Sequence, residues 1–320
     1  MKAVICPKYG PPEVLQFVEI AKPVPRNNEV LVKIRAVGVA VADSRVRSFT
    51  IPKGFEIPAR FMLGFTGPRH NILGVEFAGD VEAVGKNVST FKAGDAVFGE
   101  TLSAMGANAE YKCFKEGSPV AIKPFNISYE EAAAIPIGAL TAVHFLKRAN
   151  LKAGQKILVY GASGSVGTYA LQVARHFGAE VTGVCGASNI ELVKSLGAHK
   201  VIDYTQGDFA SRLEKYDVVF VAIDKLPFSV ANQALNENGV YLNVTAPFRN
   251  SEMRKVKNKK VIVGEGSKET PGEMTYVKEL VEKGVIRAVI EKVYPFDQII
   301  EAHRHVDKGH KKGNVVVRVA

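Results

Sequence analysis

The run Ile157-Leu158-Val159-Tyr160-Gly161-Ala162-Ser163-Gly164-Ser165-Val166-Gly167 is the part of this 320-residue chain whose residue types and spacing most plainly imply chemistry. An apolar strand that breaks into small residues and then opens a helix offers backbone N–H groups and a positive helix terminus to a phosphate. Ala162 stands where the first glycine of a G-x-G-x-x-G fingerprint is usual. Gly164 lets the backbone approach a pyrophosphate, and Gly167 lets the helix pack closely on the strand. A further strand begins near Glu180, which completes a strand–loop–helix–strand unit and favours a dinucleotide site over a bare structural turn. Ser163, Gly164, Ser165, Val166 and Gly167 are the candidate pyrophosphate contacts. A P-loop is excluded, because Gly167-Thr168 lacks the Gly-Lys-Ser/Thr ending.

About 20 residues beyond such a loop an NAD enzyme carries an acid for the ribose 2′-hydroxyl. Here the chain reads Val184-Cys185-Gly186-Ala187-Ser188-Asn189-Ile190, and the first acid is Glu191. Small polar residues leave room for a 2′-phosphate, with Ser188 and Asn189 as donors and Lys194 as counter-charge. NADP(H) is therefore the expected cofactor.

Other catalytic patterns fail on spacing. His303 and His305 are two apart on an expected helix and face different ways, His-Glu-x-x-His is absent, and Cys6, Cys113 and Cys185 are scattered. No metal site is expected. Tyr111 and Lys115 make one Tyr-x-x-x-Lys, but before the glycine loop and in a β-rich stretch, so the pair is read as coincidence. Gly-x-Ser-x-Gly is missing, which argues against an α/β-hydrolase.

The elements that must position the loop follow from pattern. The first ~120 residues alternate in short segments, such as Val30–Ala36 and Val75–Val84, between recurrent glycines at 64, 67, 74, 79, 85, 94, 99 and 106. This suggests a small antiparallel barrel or sandwich. Ser128-Tyr129-Glu130-Glu131 has the form of a capping box before an alanine-rich helix. Pro136 and Gly138 are expected to interrupt it, and a second helix covers Leu140–Arg148. Strands are then expected at Lys156–Tyr160, Val181–Cys185, Lys200–Asp203, Asp217–Ala222, Gly239–Val244 and Lys260–Val263. Helices at Ser165–Phe177, Ile190–Leu196 and Val230–Leu235 separate them, which indicates a parallel sheet covered on both faces. The tail gives helices at Tyr276–Glu282 and Asp297–Val306 and a closing strand at Val315–Val319. Phe49–Phe65 has no readable motif.

Composition bounds the rest. Hydrophobic residues are 47% and charged residues 23%, which excludes wholesale disorder. No apolar run has the ~18 residues of a membrane span, no leader precedes Val4, and three scattered cysteines fit a reduced compartment, so a cytoplasmic protein is expected. The net charge is +10, yet basic residues are interleaved with acids except in Arg254–Lys260 and His310–Lys312. The first of these carries no interleaved aromatic residue, which argues against nucleic acid. A basic nucleic-acid-binding protein with relic NADPH binding remains the reading from a different class.

A wider set of motifs resembles the medium-chain dehydrogenase/reductase superfamily. Gly74-Val75-Glu76-Phe77-Ala78-Gly79, Val84-Gly85, Phe91–Gly99 and Ala109-Glu110-Tyr111 carry it through the first part. Ala132–Pro136, Leu140-Thr141-Ala142, Gly161–Gly167, Leu196-Gly197-Ala198, Val201–Tyr204 and Gly313–Val316 continue it, so it spans essentially the whole chain. The chain looks like the zinc-independent quinone oxidoreductase branch, related to zeta-crystallin. The resemblance implies an α/β protein with a GroES-like β-rich domain at 1–124, a Rossmann doubly wound parallel-sheet domain at 125–268, and a C-terminal segment, 269–320, returning to the first domain. Zinc-dependent members have His where this chain has Val75 and Cys where it has Ala40, and the structural zinc lobe is reduced to Leu102–Ala109. Without that Lewis acid, hydride transfer to a quinone or conjugated enone is easier than to a simple ketone, because charge delocalises onto a distant oxygen. By the same resemblance Thr141 lies near the nicotinamide and Tyr204 by the adenosine. Ile223, Val244, Thr245 and Ala246 border the ribose or nicotinamide, and Asn314 closes the site. Many quinone reductases of this kind carry Asn at the Ala40 position. Asp224 departs from the family's usual glycine. Asp43 is the candidate catalytic side chain. A homodimer is expected through the edge strand Lys259–Gly264. An alkenal or enone C=C reductase is the alternative within enzymes.

Overall fold

The computed structural model describes residues 1–51, 54–102, 104–245, 259–263 and 270–320. Period-two alternation in the N-terminal part becomes strand. The ribbon β1 (Lys2–Ile5) and β2 (Gln16–Glu19) is followed by β3 (Glu29–Gly38). Helices α1 (Val41–Ser48) and α2 (Glu56–Leu63) come before β4 (Glu76–Val84), β5 (Ala96–Glu100), β6 (Tyr111–Lys115) and β7 (Val120–Ile122). Helices α3 (Tyr129–Ala133) and α4 (Pro136–Ala149) lead to alternating units: β8 (Lys156–Tyr160), α5 (Ser165–His176), β9 (Glu180–Cys185), α6 (Ile190–Ser195) and β10 (Lys200–Asp203). Then come β11 (Tyr216–Val221), α7 (Phe228–Ala234), β12 (Leu235–Asn243) and β13 (Lys260–Val263). The tail is α8 (Pro271–Glu282), β14 (Ile290–Pro295), α9 (Ile299–Asp307) and β15 (Asn314–Arg318).

The chain divides into two compact units. One comprises Met1–Ile137, Glu269–Lys283 and Ala288–Ala320, the other Gly138–Lys268 and Gly284–Arg287. The break after Ile137 lies beyond the boundary expected at 124, because α3 packs on β3, β4 and β5 of the first unit. The alanine-rich helix breaks after Ala133, as expected near Pro136, and Pro136 begins α4, where a missing N–H costs nothing; Gly138 lies inside α4 and interrupts nothing. Ser128 forms the expected capping box, accepting the Glu131 N–H while Glu131 accepts the Ser128 N–H.

In the first unit the order is β14-β15-β3-β4-β5-β7, with β6 also on β3. All pairs are antiparallel except β14 with β15. Ten-residue β3 is the hub. Its inward residues Val30, Val32, Ile34 and Val37 share a core with Phe77, Val97, Phe114, Val315 and Val317. Gly79 and Gly99, expected at turns, lie inside β4 and β5.

The second unit is a parallel sheet in the order β10-β9-β8-β11-β12-β13. The strand order reverses on either side of β8, which is the doubly wound pattern. The central strands β8, β9 and β11 are almost wholly buried, with Leu158, Val184, Val219 and Val221 in one cluster. Among the described residues no helix is long and apolar enough to cross a membrane.

Candidate functional site

The carboxyl ends of β10, β9, β8, β11 and β12, neighbours in that order, each lead into a sequence-predicted nucleotide contact. Tyr204 follows β10, Ser188 and Asn189 follow β9, Gly161–Gly167 follows β8, Ile223 follows β11 and Thr245 follows β12. Open parallel sheets bind ligands at this edge, at the strand where the order reverses. Ala246 lies outside the described residues.

The glycines of the loop have different reasons to be glycine. Gly161 has φ 81°, and a Cβ there would come within 2.6 Å of Ile223 Cγ2. At Gly167 a Cβ would come within 2.9 Å of Ala162 Cα and closer still to the Gly161 carbonyl oxygen, so the helix start and strand end touch backbone to backbone. Gly164 is unlike both. Its φ of −81° and ψ of 177° are ordinary, and a Cβ would meet only the Gly161 oxygen, at 3.5 Å. Among the described residues nothing requires glycine at 164, and the space above its backbone is open.

The donors beneath that space are open as well. No side chain caps α5, and the first amide to bond back is Thr168 N–H, to the Gly164 oxygen at 2.9 Å. Ser165, Val166 and Gly167 precede it in the first turn, where N–H groups have no intrahelical acceptor. Asn189 donates from Nδ2 to Ser163 Oγ at 3.3 Å, while its buried Oδ1 has no partner among the described residues. Amides for a diphosphate and an acceptor for a sugar hydroxyl fit a dinucleotide. Thr141 stands half-buried on α4 one turn beyond Gly138, where a Cβ would lie 2.6 Å from the Tyr169 ring and 2.8 Å from Ser165 Oγ. This close crossing sets α4 against the first turn of α5.

At the far end Ser188 is exposed. Tyr204 is half-exposed, and its hydroxyl is 3.5 Å from where a Gly186 Cβ would be. Lys194 is exposed and pairs with Glu191 on its own helix at 3.0 Å. Such a pair contributes only ~0.5 kcal/mol, so it does not hold the ammonium back from a phosphate. Sequence reasoning overlooked Asp203, the buried acid ending β10 opposite Cys185. Its Oδ1 accepts from Thr205 N–H at 2.9 Å and Thr205 Oγ1 at 2.7 Å, and the Ala187 N–H also faces the carboxylate. The Thr205 hydrogen bonds hold this carboxyl below its usual range. Burial, with the Asp203 charge, pushes the Cys185 thiol up to about 11 and leaves it inert. The available signal was an acid closing the apolar run Val201-Ile202. Thr245 donates both its N–H and its hydroxyl to Asn243 Oδ1, at 2.9 and 3.0 Å. Asp224 Oδ1 faces Asn243 Nδ2 at 3.5 Å.

Asp43 and Asn314 belong to the first unit. Asp43 is 1% exposed. Its Oδ2 accepts the Ala40 N–H and its Oδ1 the Gly74 N–H, both at 3.0 Å. Burial pushes its carboxyl up to about 7 against the pull of those two amides. Both oxygens are engaged with backbone, so Asp43 fixes the start of α1 against the Gly74 turn. Asn314 donates from its backbone N–H and from Nδ2 to the Val289 oxygen, at 2.8 and 3.1 Å. Glu76 was not foreseen. It is buried, accepts the Ile137 N–H at 3.1 Å, and is pushed up to about 8 by burial first and then by the nearby Asp43 charge. Val75 is wholly buried and Ala40 is half-buried, and neither side chain can ligate a metal. Among the described residues no group of three or more His, Cys, Asp or Glu is placed to hold one. Tyr111 and Lys115 fall on a strand. In the basic run, Lys259 donates to the Asn232 oxygen at 2.8 Å and Lys260 to the Arg148 oxygen at 2.7 Å, while Arg254–Asn258 lie outside the described residues.

Residues 26–195 match the alcohol dehydrogenase GroES-like domain, and residues 196–317 match the zinc-binding dehydrogenase family. The chain is 34% identical over 319 residues to the chloroplast envelope quinone oxidoreductase homolog of Arabidopsis thaliana, covering 95% of this chain and 93% of that protein. It is 31% identical over 332 residues to the 2-methylene-furan-3-one reductase of Solanum lycopersicum, covering 99% and 79%. Among solved structures it superposes on the quinone oxidoreductase of Escherichia coli complexed with NADPH, with a TM-score of 0.85, 27% identity and all of both chains covered.

Proposed function

The chain belongs to the medium-chain dehydrogenase/reductase superfamily, in the quinone oxidoreductase branch, and from that premise we propose that it is an NADPH-dependent reductase passing hydride to a quinone without zinc. The observation that carries the cofactor reading is the contrast within one loop: Gly167 is glycine for internal packing, Gly164 for an external ligand. When bound, the reduced nicotinamide supplies the hydride. The α5 amides and Gly164 receive the diphosphate, and Asn189 Oδ1 accepts from a ribose hydroxyl. Ser188 and Lys194 support a 2′-phosphate, which favours NADPH over NADH, and Tyr204 borders the adenosine. Thr141, Ile223, Thr245, Ala246 and Asn314 are assigned to the ribose and nicotinamide end by likeness to the family. The chain's contribution is orientation and exclusion of water, with Asp43 holding the Ala40 and Gly74 backbone in place.

Val75 and Ala40 support zinc independence, since neither offers a ligand atom. A reaction without a Lewis acid suits an acceptor that spreads its incoming charge, as quinones and conjugated enones both do. The enone reading is favoured by the tomato relative, whose printed activity is reduction of a methylene-furanone. The test is NADPH oxidation with a simple quinone, an α,β-unsaturated aldehyde and a saturated ketone. The quinone should turn over fastest and the ketone not at all. Faster turnover of the aldehyde would install the enone reading, and no oxidation with any acceptor would refute the proposal. Elemental analysis should find no stoichiometric zinc.

The three cysteines are free thiols, which supports a reducing compartment, and we place the protein in the cytoplasm. The strand β13 pairs only with β12 among the described strands. It supports a homodimer in which this edge pairs with its copy across a two-fold axis.

A further inference from the structure

Helix α2 is built inside out. A surface helix of a folded protein turns its apolar stripe inward, yet the one buried residue of α2 is Ala59. Its large side chains face solvent: Ile57 is 73% exposed, Phe61 62%, Met62 70%, and Phe65 just past the helix end 59%. Ile57 and Phe61 are one helical turn apart and so share a face. The Phe61 and Phe65 rings meet edge to face at 5.2 Å. The helix's one cation is turned the other way. Arg60 donates to the Phe65 oxygen, and its guanidinium carbon lies 3.8 Å from the Phe49 ring centre and 4.9 Å from that of Tyr9. Tyr9 in turn donates to the Gly64 oxygen at 2.9 Å. The ridge is therefore anchored from beneath and left bare above.

Its surroundings are cationic. Glu56, the one acid between Ser44 and Val75 in the sequence, is turned onto the Gly54 N–H at 2.7 Å. Of the described cations in that stretch Arg45 and Arg69 are exposed, while Arg47 is buried against Asp307 and Arg60 lies beneath the ridge. Three exposed basic residues rim the ridge. Arg69 follows directly, its N–H bonded to the Leu63 oxygen at 2.6 Å, with His70 beside it. Lys8 is held against the same turn, its Cα 3.0 Å from where a Gly67 Cβ would be.

We propose that this ridge docks on an anionic lipid bilayer, with Ile57, Phe61, Met62 and Phe65 entering the headgroup boundary and Lys8, Arg69 and His70 on the anionic surface. An apolar row flanked by cations is what interfacial helices present to such membranes. A second copy of the chain on this face would set cations against cations, so charge complementarity selects the lipid. The inference stands apart from the acceptor assignment.

The test is co-sedimentation of the full chain with vesicles of mixed phosphatidylglycerol and phosphatidylcholine, and with phosphatidylcholine alone. The parent should bind the mixed vesicles, release at high salt, and ignore the neutral ones. Phe61→Ser with Phe65→Ser should cut partitioning about tenfold or more. Lys8→Glu with Arg69→Glu should cut it by at least about fivefold per residue. All four side chains are exposed, and circular dichroism and thermal melts establish that each variant is folded. Absence of parental binding to the anionic vesicles, or equal binding by the folded variants, would overturn the proposal. So would a parental dimer, seen by light scattering, that Phe61→Ser with Phe65→Ser dissociates without any vesicle binding in the parent.

Discussion

The loop at Gly161–Gly167 and the turn joining Ala40, Asp43 and Gly74 are made of similar parts: a strand end, a glycine and the first turn of a helix. They treat their polar groups in opposite ways. In the second unit the α5 amides are uncapped and Gly164 is bare without internal need. In the first unit Asp43 closes both the Ala40 and the Gly74 amides. At Gly74 φ is 94°, and a Cβ would lie 2.6 Å from Asn108 N, so that glycine is demanded by the fold. The difference teaches that a binding region is recognised by what it leaves unsatisfied and a supporting region by what it completes.

The largest expected effect tests the internal half of that contrast. Gly167→Val forces a side chain into the Gly161 carbonyl and the Ala162 backbone. It should cost about 3 kcal/mol or more of unfolding free energy in a urea melt; a parental melting curve would show that the strand–helix contact is not tight.

Asp43→Asn comes next. An amide can accept one of the two N–H bonds but turns a donor toward the other, so stability should fall by about 2 kcal/mol. If Asp43 only positions, NADPH affinity should be unchanged in the folded variant, and any acceptor defect should be alike across the pH range. A new pH dependence in the turnover step would assign it proton transfer instead.

Glu76→Gln sharpens the same side through pH. Burial raises the Glu76 carboxyl to about 8 in the folded protein. Between the ordinary glutamate range and that value the native state holds a proton that the unfolded chain has lost. Its contribution is complete below the unfolded pKa and is lost as pH rises through about 8, so the parent should lose stability relative to the variant over that window. The gap should widen steadily across that window in chemical denaturation; parallel pH profiles would contradict the assigned burial.

Much of the second unit was legible because short apolar segments alternate with helical ones, as a parallel sheet requires. Lys156–Tyr160, Lys200–Asp203 and Lys260–Val263 were placed to the residue. The capping box at Ser128 was legible because its residues bond one another locally. Gly138 was misread because a helix tolerates an interior glycine at a cost of about 1 kcal/mol, and α4 runs through it. Helix α2 was invisible because its apolar residues face outward, so no inward stripe marks it. Strand β14 hid for a related reason, with Glu291, Lys292 and Val293 exposed along a sheet edge. The role of Asp43 was beyond sequence, since its second partner, Gly74, is 31 residues away.

The smallest effect refines the open side. Ser188→Ala should weaken NADPH by about threefold to tenfold and NADH hardly at all, measured by fluorescence titration, since one exposed hydrogen bond to a phosphate contributes about 1 kcal/mol. Equal losses for both cofactors would remove Ser188 from the 2′-phosphate.

The central claim is that Gly164 is glycine for a ligand and not for the fold, and titrating Gly164→Val with NADPH beside a thermal melt tests it directly. The account predicts a melting temperature close to the parent's, with NADPH binding weakened about a hundredfold as charge-assisted bonds to the α5 amides are blocked. A folded variant that binds NADPH as tightly as the parent would contradict it.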